Sequence, residues 1–283
     1  MIEELPLLAF TICTQIAAGL HIARTICGGP LKGDGDGRKI GGVPASSLCV
    51  VVLMVVGMAC SLFHLKHVDH VLFVFSNIGS SWLSNEIALS GAFFLLCAIV
   101  LALEKLKTAK RAVAACRWIG AAFALAMLFA QAMAYSHTGI AAWTGSYALA
   151  GFLLCAAATG SSALAFFLAG PEASRQLAQP IRWLTVVAGA AVVLAGAAFA
   201  LHLAGLAATP EGAGAALLIE SHPALIACRF ILSIAGVALM GLGSHRLSTG
   251  RPFSSSLATG AFVSIVAGEV IGRILFYGGF VAL

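Results

Sequence analysis

The chain has 283 residues, 60% of them hydrophobic and only 10% charged, with a mean hydropathy of +1.01. A soluble domain carries about 25% charged residues, so this composition excludes a water-soluble globular protein and points to a chain that crosses a lipid bilayer repeatedly. The net charge of +5 says little by itself: the lipid bilayer is the expected environment, and no nucleic-acid partner is expected.

The chain opens on MIEELPLL, acidic and without the basic stretch that precedes the apolar core of a cleaved signal peptide, so no cleaved signal is expected. Eight apolar segments follow, at roughly 6–26, 43–65, 86–103, 113–135, 145–169, 182–205, 223–244 and 255–280. Each has the ~20 residues that a hydrocarbon core of ~30 Å demands. The expected fold is therefore all-α, a polytopic bundle of eight transmembrane helices forming a single domain over residues 1–283. Small residues recur throughout, with 31 glycines, as expected where helices pack closely in lipid. The connections are short, and no convincing internal repeat is visible.

Basic residues set the expected topology. The odd-numbered connections and their flanks hold Arg24, Lys32, Arg38 and Lys39, then Lys105, Lys107, Lys110, Arg111 and Arg117, then Arg175 and Arg182, then Arg246 and Arg251. That is thirteen of the sixteen basic residues. The other side has Lys66, with Arg229 and Arg273 just inside spans. By the positive-inside rule the odd connections are cytoplasmic, and both termini lie outside. The first connection, with Asp34 and Asp36, lacks the remaining ligand positions of a calcium loop and reads as a turn. The sixth, with Glu211 and Glu220, reads as a solvated outward loop.

The outward stretch Ser61–Ile87 concentrates chemistry. It contains His64, Lys66, His67, Asp69, His70 and Glu86. HLKHVDH invites a metal reading, but nothing indicates fixed ligand geometry or a second shell, and no metal site is assigned. The eight cysteines are scattered through apolar runs with no C-x-x-C, so no iron–sulfur cluster is expected in this chain. Haem b would require histidines on different helices at matched depth. His64 and His202 form one such pair, while His21 and His245 lie at the inner ends, and no second matched pair spans the membrane.

Ionisable groups within spans are costly and default to functional candidates. Here they are His64, Glu86, Arg229, Glu269 and Arg273. Glu269 and Arg273, four apart, share one helix face. Each also has a structural reading: an intrahelical Glu269–Arg273 ion pair, an Arg229 that snorkels to the interface, a Glu86 that complements a helix dipole after Ser84 and Asn85, and a His64 satisfied at the interface. The functional reading is quinol oxidation, which releases two protons with two electrons. A carboxylate and an imidazole near the interface suit it as proton acceptors.

SNEIALSGAFF and AGEVIGRILFYGG carry a family resemblance. With His64-Leu65 after the second span, Arg229 in ACRFILSIAG, and Gly268-Glu269-x-Ile271-Gly272-Arg273 before Phe276-Tyr277-Gly278, the chain resembles the integral membrane-anchor subunit of the dimethyl sulfoxide reductase family nearly end to end. The resemblance implies a subunit of the bacterial inner membrane, active in anaerobic respiration. It implies two partners on the outer face, a molybdopterin catalytic subunit and a four-cluster iron–sulfur subunit. It implies menaquinol bound near that face, electrons passed to the iron–sulfur subunit, and no haem in the anchor. His64 and Glu86 inherit the quinol-site role by position, with Asn85, Arg229, Glu269 and Arg273 completing the expected binding group. In place of a small turn after His64-Leu65, this chain has Lys66-His67-Val68-Asp69-His70. A haem b quinol subunit and a polytopic transporter are the alternatives. A transporter would be expected to show broken helices and paired half-repeats.

Overall fold

The computed structural model describes residues 4–28, 42–64, 76–106, 110–170 and 175–278, without the side chains of residues 42, 43, 63, 64 and 175. The described residues form α1 (Leu5–Ile26), α2 (Gly42–His64), α3 (Trp82–Lys105), α4 (Lys110–Ser136), α5 (Tyr147–Leu168), α6 (Ala178–Ala207), α7 (Pro210–Glu220), α8 (Pro223–Ser248) and α9 (Ser255–Gly278). All but α7 are long and apolar enough to cross a membrane. The expected fold class and span count therefore hold, and the chain is a multi-pass membrane protein.

Two local expectations need correction. The third span begins at Trp82, four residues earlier than expected, because extended Ser81 is its N-cap and accepts a hydrogen bond from the Ser84 N–H at 3.5 Å. Glu86 is thus in the second turn rather than at the helix start. The sixth connection is not a plain loop. Thr209 caps α7 by accepting from the Gly212 N–H, Pro210 occupies its first turn, and Ala216 and Ile219 pack under Phe199, Leu206 and Leu275.

The tertiary arrangement repeats. In each half the first helix packs on the second and fourth, the second on the third, and the third on the fourth, over α1–α4 and then over α5, α6, α8 and α9. The two first helices, α1 and α5, meet at the centre. They are suited to it because α1 carries Thr11, Thr14, Gln15 and His21, and α5 carries Thr159, Ser161 and Ser162. Such groups are expensive against lipid. They cross at Gly19 and Gly160, where a Cβ on either glycine would overlap the other helix's backbone. The lipid-facing surface is aliphatic, with Val193 and Leu201 on α6 among its exposed side chains.

Arg24, Lys105, Lys110, Arg182 and Arg246 lie at helix ends on one side of the bundle, called here the basic end. The candidate site is toward the other.

Candidate functional site

At 1.5 Å per residue, Glu86 lies ~6 Å along α3 from Trp82, and Arg229 ~9 Å along α8 from Pro223. Arg273 lies ~8 Å, and Glu269 ~14 Å, before the end of α9. These four side chains, at 4–6% exposure, occupy one layer away from the basic end, and α1 links them. Glu86 lies against the amide of Gln131 on α4. Gln131 Nε2 donates to Thr14 Oγ1 at 2.9 Å, and Thr14 Oγ1 donates to the Phe10 carbonyl at 2.8 Å. The next residue, Gln15, accepts from Arg273 through Oε1 at 2.8 Å.

Arg273 then turns into the second half of the molecule. Its guanidinium lies over the Phe152 ring, 4.1 Å from the centroid. With Tyr147, Arg229 and Glu269 it lines a cavity of about 20 Å³. Such a space admits about one water. Arg229 and Glu269 face each other across α8 and α9 at 3.9 Å, and Phe199 and Phe230 flank the Arg229 guanidinium. The glycines of GExIGR make this possible. A Cβ on Gly272 would lie 2.6 Å from Arg229 Nε, and one on Gly268 would meet the Arg229 carbonyl at 2.8 Å.

This layer is under-satisfied. Gln15 Nε2, Gln131 Oε1, Arg229 Nη1, Arg273 Nε and the hydroxyls of Ser90 and Ser233 are buried without a hydrogen-bond partner among the described residues. Buried polar atoms normally have one, and leaving one unmade costs about 1–3 kcal/mol. An aromatic cap covers the layer. The hydroxyls of Tyr135 and Tyr277 are 2.7 Å apart. Trp143 donates through Nε1 to the Phe276 carbonyl at 2.7 Å and stacks on the Phe276 ring. Beyond Tyr147, a cleft of about 420 Å³ opens between α5 and α6. Its wall includes His202, whose ring stacks on Tyr147 with centroids 3.9 Å apart.

The structure thus brings together Glu86, Arg229, Glu269 and Arg273. It does not pair them as expected. Glu269 faces Arg229, and Arg273 binds Gln15, so the intrahelical Glu269–Arg273 pair gives way to contacts between helices. Arg229 does not snorkel; it is held inside by two phenylalanines. Asn85 faces away from the layer, accepting through Oδ1 from the Gly79 N–H at 2.7 Å and holding the turn that enters α3. The His64 side chain and Lys66, His67, Asp69, His70, Asp34 and Asp36 lie outside the described residues. Among the described residues no group of three or more His, Cys, Asp or Glu side chains is placed to hold a metal. His21 and His202 each direct Nε2 to a backbone carbonyl, of Arg117 at 3.0 Å and Ala142 at 2.9 Å.

Sequence reasoning missed the neutral half of this site. Gln15, Gln131 and all three tyrosines of the chain belong to it or to its rim. A search for amides inside spans, and not only for charges, would have found the two glutamines. A second, half-buried charge group at the basic end was also missed. Glu104 accepts two hydrogen bonds from Arg24 Nη2 at 2.9 and 3.0 Å, two from Arg117 at 2.6 and 3.1 Å, and one from Ser47 Oγ at 2.6 Å. Ser47 also contacts Arg24 Nη1.

Comparison with known proteins agrees with the motifs. The family model described as DMSO reductase anchor subunit (DmsC) matches residues 1–279. The C subunit of the anaerobic dimethyl sulfoxide reductase of Escherichia coli (strain K12) is 29% identical, with 98% of this sequence and 94% of that protein covered. The anaerobic dimethyl sulfoxide reductase protein YnfH of the same organism is 28% identical over the same shares. The corresponding C subunit of Haemophilus influenzae is 25% identical, covering 97% and 94%.

Proposed function

From the premise that this chain belongs to the DMSO reductase anchor subunit family, we propose that it not only anchors a reductase but also oxidises menaquinol at the end of the bundle opposite the basic one. The family role is that of membrane anchor of a DMSO reductase complex, and it implies catalytic and iron–sulfur partner subunits. On our reading the partners are a molybdopterin catalytic subunit and a four-cluster iron–sulfur subunit, docked at that same end. By the positive-inside rule this end faces outward, with both termini, from a bacterial inner membrane.

The carrying observation is Glu86, a carboxyl at 4% exposure that terminates a series of polar side chains through an otherwise apolar bundle. Oxidation of a quinol to a quinone releases two protons and two electrons. The Glu86 carboxylate takes one hydroxyl proton, and His64, at the end of α2 beside α3, is assigned the other. Gln131, held by Thr14, steadies the Glu86 carboxyl. The cavity beside Arg229 is too small for a quinone ring, which favours a ring on the Glu86 side of α1. Arg229, Glu269 and Arg273 then form a charged back wall joined to it through Gln15. Electrons pass to the iron–sulfur partner without crossing the bilayer, and the protons leave at the same end. Asn85 acts indirectly, by positioning the first turns of α3.

The test is Glu86→Gln in the whole complex. Menaquinol-dependent turnover is expected to fall by about a hundredfold, the scale of a lost general base. Assembly and reduction driven by a soluble dye stay unchanged. Undiminished menaquinol oxidation would sink the assignment. The haem b alternative is disfavoured by His21 and His202, each with Nε2 already held by a carbonyl; a reduced b-type absorbance band from the purified anchor would revive it. The transporter alternative regains one point, since the helices do form two matching halves. The eight spans, however, are unbroken helices, whereas transporter sites are typically formed by discontinuous ones.

A further inference from the structure

We propose that the basic end of the second half holds the headgroup of an anionic phospholipid. Two clefts open there, of about 400 and 460 Å³, and they share His245. The first lies between α6 and α8, with Gln179, Arg182, Thr185 and Ser244 in its wall. The second is bounded by Arg246, Thr249 and Arg251. Three guanidiniums thus converge on adjoining spaces, and no described carboxylate lines either one. Arg246 Nε is buried without a hydrogen-bond partner among the described residues.

The first half of the molecule shows what such cations otherwise require. There Arg24 and Arg117 close on Glu104, a carboxylate supplied by the protein itself. Among the described residues at the corresponding end of the second half, no carboxylate takes the place of Glu104.

Position selects the source of the matching anion. Val186 lines the first cleft and Leu242 the second, and both are exposed, at 53% and 46%. Trp183, beside Arg182, is 59% exposed, as tryptophans are where lipid headgroups begin. The polar clefts therefore continue into an aliphatic surface on which acyl tails can lie. A phosphodiester in the clefts with its tails along α6 and α8 satisfies both parts, which free phosphate does not. Basic pockets between spans are the usual setting for such recognition.

Native mass spectrometry of the intact complex, extracted in mild detergent, tests this. The wild type is expected to retain phosphatidylglycerol or cardiolipin. The double variant Arg182→Gln, Arg246→Gln is expected to retain about thirtyfold less, the scale of two cations at a membrane surface. Lys110→Gln with Arg111→Gln, at the same end but away from the clefts, should lose none. Equal loss in both variants would reduce the effect to general surface charge and overturn the proposal. A thermal-shift series on delipidated wild type guards against a variant that fails to assemble. Added phosphatidylglycerol should raise Tm, whereas phosphatidylcholine and inorganic phosphate should not. A rise with inorganic phosphate alone would make the clefts a free-anion site and defeat the lipid assignment. Glu172 lies outside the described residues. If Glu172→Gln retained several-fold more lipid, the protein's own carboxylate would be the competing occupant, and the proposal would fall.

Discussion

Two charge groups sit at opposite ends of the same bundle, one half-buried and one buried, and they are built differently. At the basic end, Glu104 is held by five hydrogen bonds of 2.6–3.1 Å from Arg24, Arg117 and Ser47, which ties α1, α2, α3 and α4 together. At the other end, Glu269 faces Arg229 at 3.9 Å with no hydrogen bond between them, and six buried polar atoms around that layer lack partners among the described residues. The first group is the more nearly satisfied network, with Arg24 Nε its one buried atom lacking a partner among the described residues, and such networks rigidify their surroundings. The second is open to a ligand, a proton or a water. Counting ionisable residues does not distinguish the two; hydrogen-bond satisfaction does.

The comparison can be broken by substitution. The largest structural effect is expected from Glu104→Ala, which leaves the buried Arg24 and the half-buried Arg117 without their carboxylate. Losing one partner of a fully buried pair costs about 3–5 kcal/mol, and the half-buried setting of Glu104 puts the expected cost at about 2–3 kcal/mol. Thermal unfolding of the purified complex should show a large fall in Tm, and membrane assembly should drop with it. An unaltered Tm would mean that the basic-end network is not a clamp. Glu269→Gln should reverse the balance. Its structural cost is expected at about 1–2 kcal/mol, because Arg229 keeps its two phenylalanines, while menaquinol-dependent turnover falls about tenfold or more with dye-driven activity kept. If Tm collapsed as it does for Glu104→Ala, the two ends would be the same kind of structure after all.

Gly272→Ala sharpens the picture more gently. Its methyl group would enter the space of the Arg229 guanidinium, so a several-fold change in menaquinol turnover is expected with a moderate fall in Tm, the scale of an overpacked site at about 1–3 kcal/mol. Gly260→Ala on the same helix, whose Cβ would meet only Leu239 at 3.4 Å, serves as the silent control. The smallest effect is expected from Asn85→Ala. It removes one hydrogen bond to the turn before α3, about 1 kcal/mol, and should affect turnover only through the placement of Glu86. A loss as large as that of Glu86→Gln would show that Asn85 touches the quinol directly.

Much of this molecule was legible without coordinates. Span number and approximate limits followed from runs of apolar residues, and the strongest candidates, Glu86, Arg229, Glu269 and Arg273, from the rarity of charge inside them. The errors share one cause. Arg24 and Arg117 read as loop residues, and Glu104 drew no notice, because a helix end looks like solvent until its neighbours are known. The helix α7 was overlooked because Pro210 and its glycines resemble a turn. The halves did not register as a repeat because equivalent positions share a location and not a residue type.

The sequence by itself determined that the protein spans a membrane eight times, which end is basic, and which few ionisable groups are buried in the spans. These are local properties of composition and length, and hydrocarbon enforces them one segment at a time. Only the tertiary structure decided who meets whom: Arg273 with Gln15, 258 positions away, Gln131 with Thr14, and Glu269 with Arg229 rather than with its own helix neighbour. In lipid, one apolar helix face is solvated as well as another. Hydrophobic pattern therefore cannot choose partners, and that choice rests on small residues such as Gly19, Gly160 and Gly272 and on the few polar groups that must find one another.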